Sequence, residues 1–189
     1  MEMLSLQHRQ IPFEIRKNKR AKRLTLKIEA ETKCLVMVVP PLTLGFQVKR
    51  FLKNQESWIE KSWSKFEESL AKRPKLERSV NYYKTRARVT IRNRLAHFNE
   101  FYGFRYNRVF FKDQKTRWGS CSSEGNLNFN WRLILAPRKI LDYVVVHELC
   151  HLKWMDHSAT FWKLVEKKIP DYQECKKWLR ENHYMLTID

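Results

Sequence analysis

Val144-Val145-Val146-His147-Glu148-Leu149-Cys150-His151-Leu152-Lys153-Trp154-Met155-Asp156-His157 is the stretch that decides how this sequence folds. His147 and His151 stand four apart, so on a helix they project from one face, one turn from each other. Two imidazoles so placed can share one metal ion, and Glu148, beside the first, can reach a metal-bound water instead of the metal. Outward from this centre, Ile140, Leu141, Tyr143, Val144, Val145 and Val146 are apolar nearly all round, the mark of a helix buried on most sides. Pro137 suits the first turn of that helix. A buried helix that carries His, Glu and His must satisfy those polar groups, and a metal does so directly. The competing reading is a helix with two core imidazoles hydrogen-bonded to backbone.

His157 follows ten residues after His147, and its ring can return to the same ion only if the chain leaves the helix soon after His151. The spacing matches the extended pattern His-Glu-x-x-His-x-x-Gly-x-x-His, except that Trp154 occupies the Gly position. The reversal is therefore expected at Met155-Asp156, since Asp tolerates left-handed backbone better than most residues. Glu166, on the next helix, is the rival third ligand, with Asp171 and Glu174 as weaker candidates. The expected site is His147, His151 and His157 holding one Zn2+ per chain, with Glu148 as general base towards the attacking water. Zinc in such a site acidifies a water and polarises a substrate carbonyl. Arg117, Arg132, His183 and Tyr184 are the candidates for an additional oxyanion donor.

The chain of 189 residues carries 38 Lys+Arg against 20 Asp+Glu, a net charge of +18. Residues 1–100 hold 23 of the basic and 10 of the acidic residues, so the excess belongs to the first half and not to the histidine helix. Such a surface attracts polyanions, and a non-specific nucleic-acid partner is one expectation. Gly is scarce, at four, and apolar residues make up 43%, which excludes low-complexity disorder. Cys34, Cys121, Cys150 and Cys175 form no C-x-x-C pair, and Cys150 sits inside the histidine helix. A reducing, cytoplasmic setting is expected, without a membrane-spanning segment.

Along the chain, Phe13–Arg16, Leu24–Glu29 and Cys34–Val39 read as strands of a small antiparallel meander, with Arg16, Lys17, Lys19, Arg20, Lys22 and Arg23 at a hairpin tip. Thr43 to about Leu70 reads as helix, its Phe46, Phe51, Trp58, Trp63 and Phe66 stripe facing a core. Lys72-Arg73-Pro74-Lys75 breaks it. A second helix runs from about Val80 to Phe101 and stops at Gly103. Tyr106–Lys112 and Leu127–Leu135 read as strands flanking a turn-rich loop, the second with one apolar and one polar face, placed where an extended peptide could add to it. The expected organisation is α+β: a basic β-meander plus helix in residues 1–75, then a minimal zincin-like metallopeptidase core in residues 76–189 with a buried HExxH helix.

Thr116-Arg117-Trp118-Gly119-Ser120-Cys121-Ser122, Asn130-Trp131-Arg132-Leu133-Ile134, Asp142 through Leu152, His157-Ser158 and Phe161-Trp162 together resemble the YgjP-like zinc metallopeptidases, the YgjP/WLM group. The resemblance implies a minimal gluzincin-like fold, with His147, His151 and His157 as ligands and Glu148 as acid/base. It also implies kinship with SprT- and WLM-type proteases, some of which act on DNA-bound proteins. The expected function is zinc-dependent hydrolysis of peptide bonds in peptide or protein substrates, with nucleic-acid-associated proteins one substrate class. Two alternatives compete: a metal-dependent hydrolase of nucleotides or other small phosphate substrates, and a DNA-binding protein with a structural zinc. No phosphate-cradling Gly-rich loop supports the first, and Glu148 argues against the second, since a structural site needs no base.

Overall fold

A computed structural model of the chain describes residues 2–6, 9–114, 117–183 and 186. The chain divides into two compact units, one reaching to Lys72 and one of Arg73–Leu186.

The first unit is built on a four-stranded sheet, β1 (Glu2–Ser5), β2 (Gln10–Lys17), β3 (Thr25–Glu29) and β4 (Cys34–Val39), in the order β1-β2-β4-β3. β3 and β4 form the expected antiparallel hairpin, turned at Lys33 with φ of 48°. β2, however, pairs with β4 in parallel, so the sheet is mixed and not a simple meander. The central strand β4 is an unbroken apolar run that buries both faces, which suits a strand with a neighbour on either side. The basic segment after β2 therefore connects two strands that are not neighbours and closes no hairpin.

The helical stretch that follows is two helices, α1 (Gly45–Asn54) and α2 (Glu56–Ala71), parted at Gln55 with φ −103° and ψ 5°. The buried residues of the expected stripe lie in α2: Ile59, Trp63 and Phe66 are buried, whereas Phe46 of α1 and Trp58 of α2 are exposed.

The second unit holds α3 (Val80–Tyr102), the strands β5 (Val109–Lys112), β6 (Gly119–Cys121) and β7 (Leu127–Asn130), a 3-10 helix (Trp131–Leu135), and helices α4 (Arg138–His151), α5 (Ala159–Glu166) and α6 (Tyr172–Glu181). Ser79 caps α3 by accepting from the Tyr82 N–H at 3.3 Å, and Gly103 ends it in the left-handed conformation at φ 63°. The sheet order is β5-β7-β6, with β7 parallel to β5 and antiparallel to β6.

Two expectations are corrected here. The strand read over 127–135 ends at Asn130, whose side-chain Oδ1 accepts from the Arg132 N–H at 3.1 Å and turns the chain into the 3-10 helix. Trp131 and Leu133 remain buried, so the apolar alternation signalled burial without an extended backbone. And β7 has a partner on both sides, so it offers no free edge to a peptide; that edge belongs to β6, inside the loop read as turns.

α4 is buried on nearly every side, from Ile140 through His151, and packs against α3, α5, α6 and β6. Arg94 of α3 fixes its first turn with a bidentate pair to Asp142, 2.6 and 2.8 Å. Tyr102 donates its hydroxyl to the Leu164 carbonyl at 3.0 Å and ties α3 to α5. Among the described residues no helix is long and apolar enough to cross a membrane.

Candidate metal centre

The histidine helix places His147 and His151 as their spacing requires, one turn apart. Beyond His151 the helix closes with tight turns, Leu152 N–H to Leu149 O at 3.0 Å and Lys153 N–H to Cys150 O at 3.1 Å. The chain then bends at Met155-Asp156, where a reversal was expected. It does so without left-handed backbone: among the described non-Gly residues only Lys33 has positive φ. Asp156 acts through its side chain instead, accepting from the Ser158 N–H at 3.1 Å just ahead of α5. Trp154 can stand in the Gly position because the bend asks nothing left-handed of it.

This bend returns His157 to the helix. The Nε2 atoms of His151 and His157 each lie 3.2 Å from His147 Nε2. Tetrahedral ligands at about 2.0–2.1 Å from zinc are separated by about 3.3–3.4 Å. The three ring nitrogens therefore already have the spacing of one coordination sphere, all within 4.8 Å of one another. His151 Nδ1 donates to the Trp154 carbonyl at 2.9 Å, which fixes the tautomer and leaves the Nε2 lone pair facing inwards. Burial and the neighbouring His151 and His157 push the His147 imidazole down to about 3, and burial lowers His157 as well. Neutral imidazole is the form that ligates. Inward lone pairs 3.2 Å from the His147 nitrogen would repel it without a shared proton or cation, so the donor set fits a metal ion.

Aromatic rings hold the imidazoles in place. Phe161 stacks on His151 with centroids 4.5 Å apart, and Trp162 lies parallel to His157 at 5.5 Å. These are the first residues of α5 that face inwards, which is why Phe161-Trp162 follow His157 so closely in sequence.

Glu148 points to the side of the ligands, against β6. It is 4% exposed, its Oε2 has no hydrogen-bond partner among the described residues, and burial pushes the carboxyl up to about 8. Its space exists because residue 119 is glycine: a Cβ there would lie 2.5 Å from Glu148 Oε1 and 2.7 Å from its Cγ. A cleft of about 270 Å³ opens over the group, lined by Arg117, Gly119, Ser120, Cys121, His147, Glu148, His151, Met155 and His157.

Of the expected oxyanion donors, Arg117 alone lines the cleft among the described residues. Arg132 pairs with Asp113 and lies over the Trp131 ring at 4.8 Å, and His183 packs edge-on against Trp118 at 5.5 Å. Tyr184 falls outside the described residues. Glu166 is exposed and not part of the histidine group, while Asp171 and Glu174 pair with Lys139.

Sequence reading did not find two supporting residues. Gly119 had a signal, being one of four glycines in the chain. Asn130 looked like the polar face of a strand. It is instead buried, with its Nδ2 donating to the carbonyls of Gln114 at 2.6 Å and Arg117 at 3.1 Å, so it pins the loop that enters β6.

Against known proteins, a family model described as YgjP-like, metallopeptidase domain matches residues 71–182. Among solved structures the chain is similar to the metallopeptidase zymogen abylysin of Pyrococcus abyssi, with 23% identity and a TM-score of 0.44 over 48% of this chain and 93% of that one. It is also similar to the metallopeptidase zymogen jannalysin of Methanocaldococcus jannaschii, with 17% identity and a TM-score of 0.42 over 48% of this chain and 94% of that one. No curated protein matches the sequence at a significant level. The family match takes in the cleft, the three histidines and Glu148, and spans more than half of the sequence: the chain belongs to the YgjP-like metallopeptidase family.

Proposed function

We propose that the protein is a zinc-dependent peptidase in which His147, His151 and His157 hold the metal and Glu148 is the general base. The observation that carries this reading is the convergence of His151 Nε2 and His157 Nε2 on His147 Nε2, each at 3.2 Å, beside a buried carboxylate that opens into the same cleft. Zinc, when bound, supplies Lewis acidity to the scissile carbonyl and acidifies the attacking water. A set of three protein ligands leaves zinc a fourth position for water, unlike a closed four-ligand structural site.

The rest of the chemistry belongs to the chain. Glu148 takes the proton from the water and delivers it to the leaving nitrogen. Its burial suits the second half of that task, because a carboxyl pushed above its ordinary value holds the proton it is to hand on. Gly119 lets the carboxylate lie against β6, at the wall where a substrate backbone would run. The free edge of β6 offers main-chain groups to an extended peptide, the role first assigned to β7.

Metal content with peptide cleavage tests the proposal. The expected result is one zinc per chain and cleavage of an unstructured protein that stops on chelation and returns with zinc. His157→Ala should weaken zinc binding by more than the roughly 10–100-fold that loss of an outer-shell partner costs. A protein that binds no zinc, or that cleaves peptides as well after stripping, overturns it. The basic first half supports a salt-sensitive association with nucleic acid, and binding to duplex DNA that does not weaken between low and high salt would remove that expectation.

A further inference from the structure

The cleft wall carries an unusual charge pattern. Glu148 is the one carboxylate among the lining residues, and it lies buried against Gly119. Arg117 is the one arginine, and it is exposed. The other arginine that was a candidate for chemistry has a carboxylate of its own: Arg132 holds Asp113. Arg117 has no ion pair or side-chain hydrogen bond from its guanidinium among the described residues.

Its main chain, in contrast, is fixed. Asn130 is 2% exposed and donates to the Arg117 carbonyl at 3.1 Å, and its own N–H donates to the Trp118 carbonyl at 2.8 Å. A pinned backbone that presents an unpaired guanidinium at the mouth of a cleft is preorganised for a planar anion. The same cleft is lined by the three histidines that could hold a metal cation. A lysine or arginine side chain entering here would meet the exposed Arg117 guanidinium, the one cationic side chain of the lining, while a carboxylate would be drawn to it.

We propose that Arg117 makes this an acid-selective peptidase: the preferred substrate carries a carboxylate next to the scissile bond, from an Asp or Glu side chain or from a free C-terminus. The proposal rests on the peptidase reading of the cleft and names its substrate class. Arg117 acts on the substrate carboxylate in the ground state and not on the oxyanion of the transition state, and the two roles separate kinetically.

The test uses the zinc-loaded full chain and matched peptides that differ only by Glu against Gln at positions flanking the scissile bond, or by free acid against amide at the C-terminus. The expected wild-type preference for the acid is about tenfold or more in kcat/KM, carried by KM, as for a charge-assisted bond gained. The pair that shows it identifies the source of the carboxylate. Raising ionic strength shrinks the preference. Arg117→Gln brings the ratio towards one, and Arg117→Glu turns it in favour of lysine peptides. A wild-type ratio near one overturns the proposal, as does an Arg117→Gln variant that loses kcat equally on acidic and neutral peptides, since that is the behaviour of an oxyanion donor. Binding of the same peptides to Glu148→Gln protein gives the comparison without turnover. Acid preference in binding with no cleavage by wild type refutes the peptidase reading alone; cleavage without any acid preference refutes the role of Arg117 alone.

Discussion

The N-terminal sheet and the histidine helix use the same residue types to opposite ends. On the sheet, Arg16 bridges Glu14 and Glu29 at 2.7 Å each, and Lys27 reaches Glu29 at 2.6 Å. Every one of these groups is at least a quarter exposed or close to it, and each charge has its opposite beside it. On α4, Glu148 is buried with one oxygen unpartnered, and His147 Nδ1 is buried without a partner too. Paired charges in solvent hold an unremarkable fold, and losing one costs little. Unpaired polar groups in a packed helix cost stability and persist where something else repays them, and the proposed metal and substrate would do so here. The contrast predicts that substitutions at Glu148 and at the wall against it damage activity while sparing the fold, whereas those at the paired charges of the sheet touch stability alone.

The sharpest way to break it is Glu148→Gln. The amide fills the same space against Gly119 and keeps hydrogen-bonding capacity, so the helix should fold and the three imidazoles should keep zinc. Peptide cleavage should fall by about a thousandfold, within the range that removal of a general base costs. Wild-type-like turnover with zinc bound would mean that the buried carboxylate is structural and that the contrast is only one of burial.

Gly119→Ala comes next. The added methyl would sit 2.5 Å from Glu148 Oε1, and the carboxylate must move because the strand cannot. A misplacement of about 1 Å costs on the order of a hundredfold in rate. Zinc affinity should barely change, because the nearest atoms the methyl would meet all belong to Glu148 and not to the imidazoles. Parallel losses of zinc and rate would show that the methyl disturbs α4 as a whole.

How much of this could be read from the chain depended on the range of the interaction. His147 and His151 were legible because a helix fixes i and i+4 by itself, and the apolar run before them announced a buried helix. His157 was legible as a spacing, yet the turn that returns it was not: it uses the Asp156 side chain, where left-handed backbone was expected. The Leu127–Leu135 alternation signalled burial correctly and geometry wrongly, because Asn130 diverts the backbone half-way through an otherwise strand-like pattern. β6 was hidden in a turn-rich loop, since three residues carry no period, and its contact with Glu148 joins positions 119 and 148. The parallel pairing of β2 with β4 was beyond reach for the same reason: three strands fit a meander until a non-local partner is known.

Arg94→Ala probes the middle ground, a charge pair that is neither exposed nor functional. Arg94 and Asp142 are 20% and 13% exposed, and the bidentate bond anchors the first turn of α4 to α3. Removal should cost about 2 kcal/mol, as for hydrogen bonds to charged groups, with Arg138 at 3.3 Å from Asp142 covering part of the loss. Urea unfolding followed by tryptophan fluorescence would measure it, and kcat of the folded fraction should hold. A variant as stable as wild type would place this pair with the surface charges of the sheet.

Glu29→Gln should show the smallest effect, and its pH dependence gives the sign. Hydrogen bonds from Arg16 and then Lys27 hold the Glu29 carboxyl down at about 2, against an ordinary value of 4.5. A depressed carboxylate contributes stability above its unfolded pKa and loses it as pH falls towards the folded one. The Glu29 contribution should therefore be complete at neutral pH, fade between about pH 4.5 and pH 2, and be absent below. Because Arg16 is partly exposed, solvent screening keeps the contribution of the pair small, and salt should reduce it further. Wild type and Glu29→Gln should differ slightly in unfolding midpoint at pH 7 and converge near pH 2, with equal peptidase activity. A difference that grows on acidification would mean that the neutral form of Glu29, and not its ion pairs, is what the sheet needs.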